Sequence, residues 1–281
     1  MKSKNQITFS IVIGMLLFFM SSAVAQKSIQ LQYNLSVGDS YIFVSDIDQD
    51  VSFEAMGSTM TLNQDMSFQM TSTVKKIEGD EIIKEFTFDK ISMIQKIMGM
   101  EIVYDSEDSS TWNSGMGAEV ANEMNKVIGK PSEIIMDNKC NITDINISSV
   151  TDNSELTNNL TSGSTYAVYP DGKIKIGDSW ENDIVPLKDS EMKVHVKYTL
   201  LKTTRKQAVI GIEGVLTGNE IQGVEMQLSG TTVGEMTVDR ATGMLISSTI
   251  DLEMAMEMEK DGMKIPTDIM TTSVTSAKKV N

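Results

Sequence analysis

The chain has 281 residues, with 24 Lys and Arg against 39 Asp and Glu, a formal net charge of −15, one histidine and one cysteine. Such an excess of acid repels nucleic acid and anionic lipid surfaces, a lone cysteine excludes an internal disulfide, and a lone histidine excludes an ordinary zinc site. With 40% hydrophobic but only 6% aromatic residues, the core has to be largely aliphatic.

The N-terminus reads as a leader. Lys2 and Lys4 precede an apolar run from Ile7 to Met20, and Ala23-Val24-Ala25 forms a small-x-small cleavage site. Residues 1–25 are therefore expected to be a signal peptide cut before Gln26, which would leave 256 residues with a net charge of −17. The apolar run is too short and too early to be a membrane span. Gln26 stands where a lipoprotein would have cysteine, so no lipid anchor is expected. These features predict a periplasmic or secreted protein.

Beyond the leader, apolar and polar residues alternate with a period of two. From Met60 to Met70 the even positions are Met60, Leu62, Gln64, Met66, Phe68 and Met70, and the odd ones are Thr61, Asn63, Asp65, Ser67 and Gln69. That pattern is a strand with one greasy face. Strands are likewise predicted over Tyr41–Met56, Thr59–Ile77, Glu81–Ile97 and Glu101–Tyr104. A short helix is predicted within Gly115–Pro131, with Val120, Met124, Val127 and Ile128 on one face and Gly129 with Pro131 as its stop. The Asn/Ser/Thr-rich stretch around Ser149 to Leu160 predicts loop with at most a weak helical turn.

Further strands are predicted over Glu191–Lys202, Gln207–Leu216, Val224–Val238 and Met244–Met258, where Met254, Met256 and Met258 share a face. A last strand near Ile265 to Val274 carries Pro266, which predicts a sheet edge. Strands of about 15 residues would run about 50 Å and must twist and coil. The expected fold is mainly β, with long, curved antiparallel sheets in two half-barrel-like halves. The division expected is an N-terminal β half over 26–114, a helix and loop insert over 115–165, and a C-terminal β half over 166–281.

One phrase occurs twice. "VGDSY" (Val37 to Tyr41) returns as "IGDSW" (Ile176 to Trp180), with Gly38 and Gly177 139 residues apart. Each precedes a run of strands. Glycine supplies a permissive backbone, Asp39 and Asp178 can accept bonds from nearby N–H groups, and Tyr41 and Trp180 anchor the strand that follows. The repeat predicts a structural corner, the trace of an internal duplication.

No catalytic constellation stands out. His195 alternates with Lys193, Lys197 and Thr199 on the polar side of a strand, which predicts a surface residue. Asp46, Asp48 and Asp50 imitate the start of a calcium loop, but Val51 occupies the glycine position and Gly57 the glutamate position. They read as the wet face of a strand. Cys140 reads as a buried thiol. No P-loop, dinucleotide signature or nucleophile elbow is present. A non-enzymatic protein without cofactor or metal is expected.

Methionine is the unusual residue: of 22, three (Met1, Met15, Met20) fall in the leader, leaving 19. Three readings stand: flexible core filling, an adaptable wall for a greasy ligand, and soft-metal binding by thioethers. The second makes Met60, Met66, Phe68, Met70, Met254, Met256 and Met258 the candidate ligand-binding residues.

The corners "VGDSYIF" and "IGDSWENDI", the approach "YPDGKIKIGDSW" and the stretch "GTTVGEMTVDRATGMLISS" resemble an uncharacterised family of exported β-rich proteins of Bacteroidota-type bacteria. Long curved strands with short plugging helices look like the half-barrel carriers of the LolA, LolB and LppX type. That resemblance implies a lipid or lipoprotein partner, and the acidic charge leaves no nucleic-acid partner expected. The expected function is an envelope protein that holds an apolar ligand or lipidated partner on a Met-rich concave face. The alternative is a structural or protein-interaction module with a filled core.

Overall fold

The computed structural model describes residues 28–55, 58–113, 116–146, 166–184, 192–221, 224–260 and 263–280. The expected leader and the stretch from Ser149 to Leu160 lie outside them. In chain order the elements are β1 (Ile29–Gln30), β2 (Ser40–Ala55), β3 (Ser58–Glu78), β4 (Glu81–Ile97) and β5 (Met100–Asp105). A short 3-10 helix (Ser109–Asn113), α1 (Met116–Met124), β6 (Pro131–Asp137) and β7 (Ile142–Asn146) follow. Then come β8 (Lys173–Ile174), β9 (Ser179–Ile184), β10 (Lys193–Thr203), β11 (Gln207–Ile221), β12 (Val224–Asp239), β13 (Leu245–Lys260) and β14 (Met263–Lys279).

Twelve of these strands form one antiparallel sheet in the order β7-β6-β4-β3-β2-β14-β13-β12-β11-β10-β9, with β5 paired to β4 beside β6. The sheet does not close: β7 and β9 are its two ends. Both predicted halves therefore share one sheet, and they join where β14 runs along β2 from Thr267↔Phe53 to Lys279↔Tyr41. β1 and β8 make a separate two-stranded ladder.

Side chains directly opposite one another on paired strands point to the same face, so the register assigns faces across the whole sheet. The row Ile91–Phe68–Ser45–Thr275–Ser248–Met236–Ile210–Leu200 crosses eight strands. All eight of its residues are buried. The opposite face carries Asp46, Asp48, Asp65, Asp251 and Glu253, all exposed.

At one end the sheet wraps around two chain segments. Tyr33 N–H donates to Asn138 O at 2.7 Å, and Asn34 N–H, the next residue, donates to Thr242 O at 3.0 Å. Asn138 follows β6 and Thr242 precedes β13, which are five strand positions apart. On a flat sheet that separation is roughly 24 Å, far beyond the reach of two adjacent residues, so the sheet must curl around residues 31–36. Tyr169 closes the same end from the second segment: its N–H donates to Lys139 O at 3.0 Å and its hydroxyl to Gly243 O at 2.6 Å. Gly243 has φ +73, and a Cβ there would stand 2.3 Å from Gln32 O, so the turn before β13 can approach the plug only because it lacks a side chain.

Two expectations change. Pro266 lies in β14, an interior strand, not at a sheet edge. The reason is local: β14 begins to pair with β2 only at Thr267, so at Pro266 that side of the strand needs no N–H. The stretch expected as helix and loop also contributes β6 and β7 to the main sheet. Its helix α1 ends at Met124; Val127, placed on the predicted helical face, is buried in the following turn, where Gly129 N–H donates to Phe88 O at 2.9 Å.

Candidate functional site

The curled face has a filled end and an open end. Toward the plug, Phe43, Met70, Phe88, Leu200, Ile210, Met236 and Val238 are buried together with Leu31, Tyr33 and Tyr169. Tyr33 Oη donates to Ala167 O at 3.1 Å and accepts from Ala167 N–H at 3.0 Å. Ser45 and Thr275 hydroxyls bond at 2.8 Å. Burial pushes the Tyr33 and Tyr169 phenols well above their ordinary value. Burial also pushes the Cys140 thiol up to about 12, which keeps it protonated and inert. Lys84 is fully buried here, its ammonium 3.3 Å from Tyr166 Oη and 4.5 Å above the Tyr166 ring.

Going away from the plug, the rows become polar and then apolar again. Gln95, Gln64, Gln49 and Thr271 are consecutive cross-strand partners. Gln95 Nε2 donates to Gln64 Oε1 at 3.3 Å, and Gln49 Nε2 to Thr271 Oγ1 at 3.1 Å. Beyond them one row reads Met100–Ile97–Leu62–Val51–Ile269–Met254, and the next reads Met60–Phe53–Thr267–Met256–Leu228. Leu62, Val51, Ile269, Met254, Met60, Phe53 and Met256 are half-buried. From β3 to β12, five strands and four inter-strand steps, this apolar band spans roughly 20 Å.

The seven sequence-predicted residues all lie on the curled face but in different settings. Phe68 and Met70 are buried in the main core, and Met66 packs against it from a half-buried position. Met254 and Met256 pack on a second small cluster of Met192, Leu216 and Leu228. Met60 shares the row of Met256, and Met258 lies one row further along, opposite Met226 and Ile265. The band also includes Val51, Phe53, Leu62 and Ile269, absent from the predicted set although their alternation with Ser52, Thr61 and Asp268 was readable.

The hairpin β4–β5 ends beside this band. Ile97 pairs with Met100, leaving Met98 and Gly99 as a two-residue turn with φ 51 and 79. Positive φ at both central positions is the type I′ arrangement, which favours Asn-Gly. A methionine there is strained by about 1–2 kcal/mol, yet its side chain is 67% exposed and that of Met100 50%.

Two open depressions lie on the sheet. One, of about 480 Å³, is lined mainly by outward residues such as Asp46, Asp48, Asp65, Ile94 and Val103. The other, of about 430 Å³, is lined by Asn219, Gln227, Ser229, Ala255 and Asp268 together with Leu228, Met256 and Thr267 from the end of the band's second row. Neither includes the row from Leu62 to Met254. Among the described residues no group of three or more His, Cys, Asp or Glu side chains could hold a metal ion. Among them, too, no helix is long and apolar enough to cross a membrane. His195 is exposed, with Nδ1 2.7 Å from Asp183 Oδ1.

The two Gly-Asp-Ser corners share one hydrogen-bond scheme. Gly38 and Gly177, at φ 93 and 92, donate to Val74 O and Leu200 O at 2.9 and 2.8 Å. Those residues donate back to Asp39 O and Asp178 O at 2.9 and 3.0 Å. Each carboxylate accepts from the N–H three residues earlier, Ser36 at 2.9 Å and Lys175 at 2.8 Å.

A family model described as a family of unknown function, DUF6263, matches residues 147–245. No curated protein matches the chain. Among solved structures, the chain resembles one titled for lipid–protein interactions in lipovitellin, with a TM-score of 0.52 at 8% identity over 88% of this chain. It spans only 26% of that lipovitellin chain, and the likeness is one of fold. A looser likeness, TM-score 0.24 at 8% identity over 97% of both chains, is to the translocator domain of the autotransporter NalP from Neisseria meningitidis.

Proposed function

We propose that this is an exported, non-enzymatic protein of the cell envelope that binds an apolar ligand, an acyl chain or a lipidated partner, on the open end of its curled sheet. One observation carries the reading. The register assembles Met60, Met254 and Met256 with Leu62, Val51, Phe53 and Ile269 into one half-exposed apolar band beside a packed core. Contiguous exposed apolar surface on that scale marks an interaction site, and methionine adapts its shape to a variable chain. Lipovitellin, titled for its lipid–protein interactions, has a sheet of similar fold, which supports the same reading.

Titrating delipidated protein with a fluorescent fatty acid tests it. Saturable binding is expected, and Met254→Lys or Met256→Lys in still-folded protein should weaken it at least roughly tenfold, about 1.4 kcal/mol. Absence of saturable binding, or indifference to both substitutions, rejects the reading. The second reading, a structural or protein-interaction module, draws on the filled core around Phe43 and Leu200; the same absence of binding would favour it.

A further inference from the structure

The tip of hairpin β4–β5 breaks two rules at once. Met98 occupies a left-handed position better suited to asparagine or glycine, and it presents a large apolar side chain to solvent, 67% exposed. Folding stability explains neither choice. The surroundings extend the anomaly. Met100 is 50% exposed on the curled face, and Ile94 and Val103, opposite each other on the outward face, are 40% and 37% exposed. The hairpin is therefore apolar at its turn and on the curled face beside it, and on the outward face the apolar pair Ile94–Val103 lies behind the Lys96–Glu101 pair.

Charge is arranged to match. Ile97-Met98-Gly99-Met100 carries none, and the flanking Lys96 and Glu101 face each other across the hairpin at 3.8 Å, so they cancel locally. Met100 begins the row that continues through Ile97, Leu62, Val51 and Ile269 to Met254, so the tip and the apolar band are one continuous surface.

We propose that the Met98-Gly99-Met100 tip docks the open end of the curled sheet onto an uncharged lipid surface. The tip inserts its methionines among acyl chains, as apolar side chains at a membrane interface do, and it presents the band to the lipid it would exchange. Insertion stops at the row Glu101–Lys96–Asn63–Asp50, the first outward row behind the tip, because carboxylates stay in water. The overall acidity of the chain, −15, sets the preference for uncharged over anionic headgroups. The inference deepens the ligand-binding reading and rests on it for its purpose, but it is measured separately.

Flotation with phosphatidylcholine vesicles tests it, using wild type, Met98→Asn, Met98→Asn with Met100→Thr, and Met254→Lys. Wild type should float with the vesicles, and floating should not increase when anionic lipid is added. Both tip variants should lose at least roughly tenfold in vesicle partitioning. Met98→Asn should at the same time raise Tm by roughly 2–4 °C, because asparagine relieves the turn. Met98→Asn should still bind fluorescent fatty acid in solution, whereas Met254→Lys should dock on vesicles yet bind fatty acid poorly. A wild type that does not float, tip variants that float like wild type, or binding that requires anionic lipid would each overturn the docking proposal. None of these outcomes depends on the fatty-acid titration.

Discussion

The two ends of the curled face are built from the same strands and the same kinds of residue, yet they do opposite things. At the plugged end, rows such as Phe68–Ser45–Thr275–Ser248 are covered by residues 31–36 and 166–170, and the hydroxyls of Ser45, Thr275 and Tyr33 find partners inside the protein. At the open end, Leu62, Val51, Ile269 and Met254 continue the same face but remain partly exposed. The difference lies in what covers the strands, not in the strands themselves. One end holds the fold together, and the other is left as surface. That division can be broken by substitution, with effects that differ in size.

The largest contrast sets Phe43 against Met254. Phe43 is fully buried and packs near Tyr166, ring centroids 6.2 Å apart. Phe43→Ala should cost about 3–5 kcal/mol, whereas Met254→Ala, on the half-exposed band, should cost no more than about 1 kcal/mol. Chemical denaturation of both variants checks this. Comparable losses would mean that the open end is packed as tightly as the plugged one.

Next in size is the contact between plug and sheet. Gly243→Ala would bring a Cβ to 2.3 Å from Gln32 O at a position with φ +73. A destabilisation of roughly 1–3 kcal/mol is expected, with hydrogen exchange accelerated most at Tyr33, Asn34 and Tyr169, whose N–H groups tie the segments to the sheet. Exchange that rises uniformly over the strands would show that the plug is not a separate clasp.

Much of this could be read from alternation alone. The prediction over Glu81–Ile97 coincides with β4 at both ends, and Met244–Met258 differs from β13 by one or two residues. Alternation reports which face a side chain occupies, since that is a property of the strand itself. It does not report the position of a row relative to the plug, because that is fixed by bonds such as Tyr33 to Asn138, more than a hundred residues away in the chain. For that reason Phe68 and Met254 looked equivalent in the sequence and differ in the fold. The interior place of β14 was hidden for a related reason: its partner β2 is the first long strand of the chain, and Pro266 pointed to an edge that exists only locally. The Met98 tip was missed because a Met-Gly turn carries no composition signal, only a backbone one.

The smallest expected effect separates the two corners, which share backbone geometry but not charge environment. Burial acts to raise the Asp39 pKa, but the Lys279 ammonium at 2.6 Å and the Ser36 N–H outweigh it, so the carboxyl is held below its ordinary value. Among the described residues Asp178 has no lysine so placed. A carboxyl whose pKa is depressed by folding adds stability above its unfolded value, near 3.9, and loses it as pH falls through the folded value. Asp39→Asn keeps an oxygen for the Ser36 N–H but removes the charge, and at neutral pH it should cost on the order of 1 kcal/mol, limited by the exposure of Lys279. Asp178→Asn should stay within about 0.5 kcal/mol of wild type. The gap between the two variants should begin to close as the pH falls below the unfolded value, near 3.9, and vanish once it is below the lowered folded value of Asp39. Denaturation midpoints at neutral and acid pH read this directly. A gap that persists at low pH would assign the difference between the corners to packing around Tyr41 and Trp180, not to the Asp39–Lys279 pair.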